Sequence, residues 1–276
     1  MKITLGFSSC PNDTFMFDAL INRRIKTEEF EFAVKIADVE ELNQLAFEGA
    51  LDMTKMSYYA YSKVFDQYQW LTSGSALGRK NGPLLISKKK IYPDEVNDLK
   101  IAIPGENTTA NLLLSIAYPK AKNKTPYLFS DIEEAILSNE VDAGLIIHET
   151  RFTYQKKGLR KIVDLGEYWE KETGFPIPLG GIVVKRDLKD EVKQKLNNLL
   201  KESVIEAFKH PKETYPYVKK YAQELDDEVI RQHIDLYINE FSVDLGDEGK
   251  NAVQELFKRA AALNIINKIE IPIFVK

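Results

Sequence analysis

Residues 141–150 read Val-Asp-Ala-Gly-Leu-Ile-Ile-His-Glu-Thr. Ala143 to Ile147 is a continuous apolar run that ends in two β-branched residues, and it closely follows a helix-like segment, Asp131 to Asn139. An apolar run of this length set between helices predicts a strand of a parallel sheet covered on both faces. The chain then turns polar at His148, Glu149 and Thr150. Open α/β sheets bind ligands beyond the carboxyl ends of their strands. The strand would therefore carry an imidazole, which titrates near neutrality, to the mouth of a cleft. A histidine at a strand end can equally close a loop by bonding a carbonyl, and spacing alone does not choose between the two. His210, before Pro211 at a helix end, is a weaker candidate, and so is His233, for which a helical pattern predicts a partly exposed or packing role.

Upstream, one arrangement occurs twice. Lys100 to Ile103 reads as a strand, Pro104-Gly105-Glu106-Asn107-Thr108-Thr109 as a polar turn, and the next segment, with Leu112, Leu113 and Ile116, as a helix. Lys2 to Phe7 is likewise a strand, Ser8 to Thr14 a polar turn, and Phe15, Met16, Ala19 and Leu20 the apolar positions of a helix. Asn12 or Asp13 is placed to cap this helix and Pro11 fixes its approach. Thr108 and Thr109 stand at the start of the other, and either can simply be its cap. Helix N-termini present backbone N–H groups to anions. Without a glycine-rich phosphate fingerprint the first turn is a carboxylate or hydroxyl site at most, and an ordinary capped turn is the competing reading.

The remaining segments fill in an α/β pattern. Phe30, Phe32, Val34 and Ile36 alternate with Glu31, Ala33 and Lys35, as in a strand. Asp38-Val39-Glu40-Glu41 resembles a capping box and opens a helix through Phe47. Leu51 to Met56 is strand-like and sets Lys55 beside Ser57, which can cap a helix carrying Tyr58, Tyr59 and Tyr61. Pro83–Ser87, Tyr127–Phe129 and Leu159–Leu165 read as strands; Gly74–Lys80 and the glycine- and proline-dense Gly174–Gly181 read as connections. Helices are predicted over Leu188–Lys209, Tyr215–Gln223, Asp227–Phe241 and Asp247–Leu263, and Ile269 to Val275 is an extended tail. The expected organisation is two similar lobes, 1–92 with 179–276 and an inserted 93–178, joined by two crossovers. A ligand cleft between them would be lined by Ser8–Asn12 and Lys55–Ser57 from one lobe and by Thr108, Thr109 and His148 from the other.

The totals exclude several classes of function. A chain of 276 residues, 44% hydrophobic and 29% charged, can bury one large core or two ordinary ones. A net charge of −4 gives no reason to expect nucleic acid or an anionic membrane. The single cysteine, Cys10, forms no internal disulfide and no cysteine-based zinc site. No run approaches the roughly 20 apolar residues of a membrane span, and the N-terminus shows no leader pattern, so a cytoplasmic protein is expected.

Several motifs carry a family resemblance: Gly-Phe-Ser-Ser-Cys-Pro-Asn-Asp-Thr-Phe (6–15), Thr-Lys-Met-Ser-Tyr (54–58), Gly-Glu-Asn-Thr-Thr-Ala (105–110), Gly-Leu-Ile-Ile-His-Glu (144–149), Arg-Phe-Thr-Tyr (151–154) and Pro-Leu-Gly-Gly (178–181). In this order, over almost the whole chain, they resemble the 1,4-dihydroxy-6-naphthoate synthases of the futalosine route to menaquinone. Ser9 stands where relatives carry proline. The resemblance implies a type-2 periplasmic-binding-protein fold used as an enzyme without metal or organic cofactor. It implies cleavage of a carbon–carbon bond in cyclic dehypoxanthine futalosine, giving the dihydroxynaphthoate and dihydroxyacetone. It places the general base at His148 and substrate contacts at Lys55, Met56, Ser57, Thr108 and Thr109, and Ser9 and Asn12 of the first turn complete the expected set. Lys55 and the Thr108 helix start would orient the substrate's carboxylate, and Tyr58 or Tyr59 would cover its aromatic face. A packing role is expected for Cys10, and Glu149 is disfavoured as the partner of His148 because neighbours on a strand point to opposite faces. The expected partner is a small carboxylate, and a homodimer is a compatible assembly. The rival readings are chorismate dehydratase of the same pathway and a non-catalytic protein binding a small anion.

Overall fold

The computed structural model describes residues 1–27, 29–148, 150–222 and 226–276. The chain opens with β1 (Lys2–Phe7), α1 (Pro11–Ile21), β2 (Glu31–Ile36), α2 (Val39–Phe47), β3 (Met53–Ser57), the single turn α3 (Tyr58–Tyr61), β4 (Tyr68–Trp70) and β5 (Ala76–Gly78). It continues with β6 (Leu84–Ser87), β7 (Ile101–Ile103), α4 (Thr109–Ala117), β8 (Lys124–Pro126), α5 (Ile132–Leu137), β9 (Ala143–Ile146), α6 (Thr150–Thr153), β10 (Arg160–Asp164) and α7 (Leu165–Thr173). Last come β11 (Ile177–Lys185), α8 (Asp190–Lys209), α9 (Pro211–Tyr221), α10 (Asp227–Tyr237), α11 (Glu240–Val243) and α12 (Gly246–Ala262).

The strands form two sheets. One runs β2-β1-β3-β11-β4, with β5 also paired to β11; the other runs β8-β7-β9-β6-β10. The plan is the same in both. Three parallel strands are followed by a strand antiparallel to its neighbours, and the chain reaches that strand only after crossing from the other sheet. Both sheets are therefore mixed, where the apolar run at 143–147 had suggested an all-parallel one.

Pairing also moves the expected crossovers. Leu84–Ser87, assigned from sequence to the first lobe, pairs with β9 and β10 in the second sheet, so the first crossing lies at 79–83 and not near residue 92. The return ends at Ile177, inside the stretch read as a connection. Glycines there serve close packing: a Cβ on Gly180 would sit 2.8 Å from Met56 O, and one on Gly181 3.2 Å from the Trp70 ring. Pro178 is tolerated where the β11–β5 register shifts. Two short strands also differ from expectation. β5 lies within the predicted Gly74–Lys80 loop, and β8 precedes the predicted Tyr127–Phe129 strand because Lys124–Pro126 holds the register with β7.

Packing explains the helices. Leu196, Leu199, Leu200, Val204 and Ala207 of α8 are buried, while Phe208 near its end is 44% exposed. The predicted helix Asp227–Phe241 breaks after Tyr237, where the Asn239 side chain caps α11 by accepting from Phe241 N–H. Under the first sheet the rings of Tyr58 and Tyr61 lie 4.4 and 4.8 Å from that of Trp70.

Candidate active site

The first turn is built around one carboxylate. Ser8 donates to Asp13 Oδ2 from its backbone N–H, at 3.1 Å, and from its hydroxyl, at 2.7 Å. Lys55 Nζ donates to Asp13 Oδ1 at 2.7 Å, and both residues are buried. Asn12 Nδ2 donates to the same oxygen at 2.9 Å. The expected caps of α1 are thus used elsewhere: Cys10 is the N-cap, makes no side-chain cap bond, and leads into Pro11.

These bonds fix a tautomer. The Asp13 carboxylate, paired with Lys55, only accepts, so the Asn12 amide must present its NH₂ there. Asn12 Oδ1 then lies 3.2 Å from His233 Nε2, which must carry the proton. Burial pushes the pKa of His233 well below its ordinary 6.5, and His148 and Lys55 push it further down. His233 is therefore a neutral Nε2–H imidazole whose lone pair is on Nδ1.

The second sheet supplies the facing groups. Thr108 caps α4: its hydroxyl oxygen accepts from Asn111 N–H at 3.3 Å, and its proton goes to Gly105 O at 2.9 Å. Thr109 Oγ1 accepts from Tyr58 N–H at 2.9 Å, which ties α4 to the first sheet and leaves the threonine's own proton to donate. His148 follows β9 in a left-handed backbone conformation (φ 59°), which non-glycine residues seldom adopt and which clusters at functional sites. Cys10 Sγ lies 3.3 Å from His148 Nδ1 and 3.8 Å from Nε2. The Phe129 ring meets the imidazole edge-on at 5.0 Å, and the His233 ring is nearly parallel to it at 6.2 Å.

A cavity lies between the sheets and is lined by residues from both. Of the residues expected from sequence, it brings together Asn12, Lys55, Met56, Ser57, Thr108, Thr109 and His148. Ser9 is half-buried and does not line it; Ser8 does. Tyr58 is fully buried, which raises its pKa against the opposing effect of its hydroxyl's bond to Ser75, and neither it nor Tyr59 lines the cavity. The ring at the wall is that of Tyr237, packed 4.6 Å from His233. Sequence reasoning also missed Asp13, Asn81 and His233 as lining residues and Cys10 as a contact of His148. Only the helix signature around His233 was readable locally. Glu149 and the predicted helix end at Gln223 lie outside the described residues. Among the described residues, no group of three or more His, Cys, Asp or Glu side chains is arranged to hold a metal ion, and no helix is long and apolar enough to cross a membrane.

Residues 3–262 match the menaquinone biosynthesis family. The chain belongs to that family. It is 44% identical over 273 residues to a 1,4-dihydroxy-6-naphthoate synthase of Thermus thermophilus, covering 99% of each chain. It is 40% identical over 269 residues to one of Streptomyces coelicolor, covering 96% of this chain and 94% of that one. A crystal structure of an Archaeoglobus fulgidus protein matches with a TM-score of 0.91 at 33% identity, over 96% of this chain and 98% of that one. The ligand-binding component of an ABC-type import system from Staphylococcus aureus matches with a TM-score of 0.71 at 14% identity, over 100% and 96% of the two chains. The periplasmic aliphatic sulphonate binding protein of Escherichia coli matches at 0.66 and 13%, over 99% and 90%. These last two show the fold alone: it is periplasmic-binding-protein-like.

Proposed function

We propose that this chain is a 1,4-dihydroxy-6-naphthoate synthase that cleaves a carbon–carbon bond of cyclic dehypoxanthine futalosine and releases dihydroxyacetone. The near full-length identity to two synthases of that name supports the activity. A cytoplasmic location is part of the same proposal, since the relatives are biosynthetic enzymes.

His148 is the general base. Contact with Cys10 Sγ and the edge-on Phe129 ring hold the imidazole, which takes a proton of the substrate's sugar-derived ring. Such help is worth about 10² to 10⁴ in rate. Formation of the aromatic naphthalene supplies the remaining driving force and belongs to the substrate. Lys55 acts as one half of a neutral pair with Asp13, not as a lone cation; its ammonium has three N–H groups, of which Asp13 takes one. The start of α4, with the Thr109 hydroxyl proton, holds the substrate's carboxylate.

Neither rival gains support. Both named relatives are synthases and not dehydratases, and the likeness to solute-binding proteins concerns architecture, which many functions share. The purified chain, offered cyclic dehypoxanthine futalosine and separately chorismate, is expected to form the naphthoate from the first and leave the second unchanged by chromatography. Conversion of chorismate, or of neither, would overturn the assignment.

A further inference from the structure

We infer that Asn81 is a substrate-binding residue whose carboxamide pairs with hydroxyl groups of the sugar-derived part of the ligand. It sits on the first crossover, between β5 of one sheet and β6 of the other, and is one of the residues lining the cavity. Asn81 is 0% exposed, and neither its amide nitrogen nor its amide oxygen has a hydrogen-bond partner among the described residues. Buried amides are almost always paired, because leaving one unpaired is costly. A buried amide at a cavity wall with both ends unspent is the arrangement expected of a group that meets its partner on a ligand.

The loop around it is fixed. Arg79 donates to Glu248 at 2.9 Å and to Gly174 O at 3.2 Å, and Lys80 N–H donates to Glu170 at 2.7 Å. On the other side Gly82 O accepts from Arg151 at 2.5 Å. Gly82 lies so close to α7 that a Cβ on it would fall 2.3 Å from Gly166 N. With both neighbours anchored, the amide is held in place before ligand arrives, which lowers the cost of binding.

The carboxamide also indicates the ligand chemistry. It joins N–H donors to an accepting carbonyl. A carboxylate would satisfy the donors and repel the carbonyl. Hydroxyl groups donate and accept, so two of them satisfy both ends. On the function proposed above, on which this inference rests, these are hydroxyls of the sugar-derived ring, and the naphthoate product lacks that ring.

Asn81→Leu keeps the branched shape and the number of heavy atoms and removes both polar ends; Asn81→Ala guards against the larger volume of the two methyl groups. For either, KM for cyclic dehypoxanthine futalosine should rise about ten- to fiftyfold, as for two lost neutral hydrogen bonds, with kcat changed less than about threefold. Calorimetric affinity for 1,4-dihydroxy-6-naphthoate should be unchanged. Melting without ligand should be unchanged or higher for the leucine variant, since an unpaired buried amide has been replaced by carbon. An unchanged KM, or lower melting together with lower kcat, would overturn the inference and leave Asn81 a structural residue. Titration of wild type and variants with the substrate reads Asn81 independently of turnover. Weaker binding by the variants of a substrate that wild type binds but does not convert would sink the assigned activity and keep Asn81. Neither binding nor conversion by wild type would sink both.

Discussion

The turn after β1 and the turn after β7 hold matching places in two sheets of the same plan, yet they open their helices differently. α4 is capped conventionally by the Thr108 hydroxyl. α1 has no side-chain cap, although Asn12 and Asp13 stand within reach of the role. Their polar atoms go instead to Ser8, Lys55 and His233, and Cys10 at the cap position meets His148 of the other half. Thr108 spends its hydroxyl on local structure, whereas the polar side chains of the first turn go into a buried network along one wall of the cavity.

If that division holds, the two turns respond to mutation in different ways. Asp13→Ala strands the Lys55 ammonium in a buried site and should cost about 3–5 kcal/mol in denaturant unfolding; a loss below about 1 kcal/mol would mean the network carries little. His233 comes next. Its folded pKa is depressed, so below 6.5 the unfolded chain binds a proton that the folded chain does not. Its contribution is thus fully present above 6.5 and is lost as pH falls, at up to about 1.4 kcal/mol per pH unit. His233→Gln should flatten the fall in melting temperature between neutral and mildly acid pH, and an unchanged slope would place the proton uptake elsewhere. Thr108→Ala should cost about 1 kcal/mol of stability, the usual worth of a cap. Cys10→Ser has no cap to lose; its effect should appear in turnover, as a fall of about two- to tenfold from a weakened hold on the His148 ring. Equal stability losses in these last two variants would erase the distinction between the turns.

Signals carried by adjacent residues are legible in the sequence itself. Lys2–Phe7 is the predicted strand, and Asp38 caps α2 by accepting from the N–H groups of Glu40 and Glu41. Two kinds of feature were hidden. β5 and the start of β11 are strands against their composition, because their pairing with each other, and that of β11 with β3 from Gly180 on, outweighs the preferences of glycine and proline. The other kind is contact over long separations: His233 meets Asn12 across 221 positions and Cys10 meets His148 across 138. A helical pattern at His233 marks a buried face but does not say that the face is a cavity wall. Asn81, in a loop between two short strands, carried no local signal.

Chromatographic assay of naphthoate formation by His148→Ala at saturating cyclic dehypoxanthine futalosine bears most directly on the site as described. An imidazole that takes the substrate's proton requires the rate to fall at least about a hundredfold while the naphthoate still binds. A variant that turns over at close to the wild-type rate would show that the proton leaves by another route.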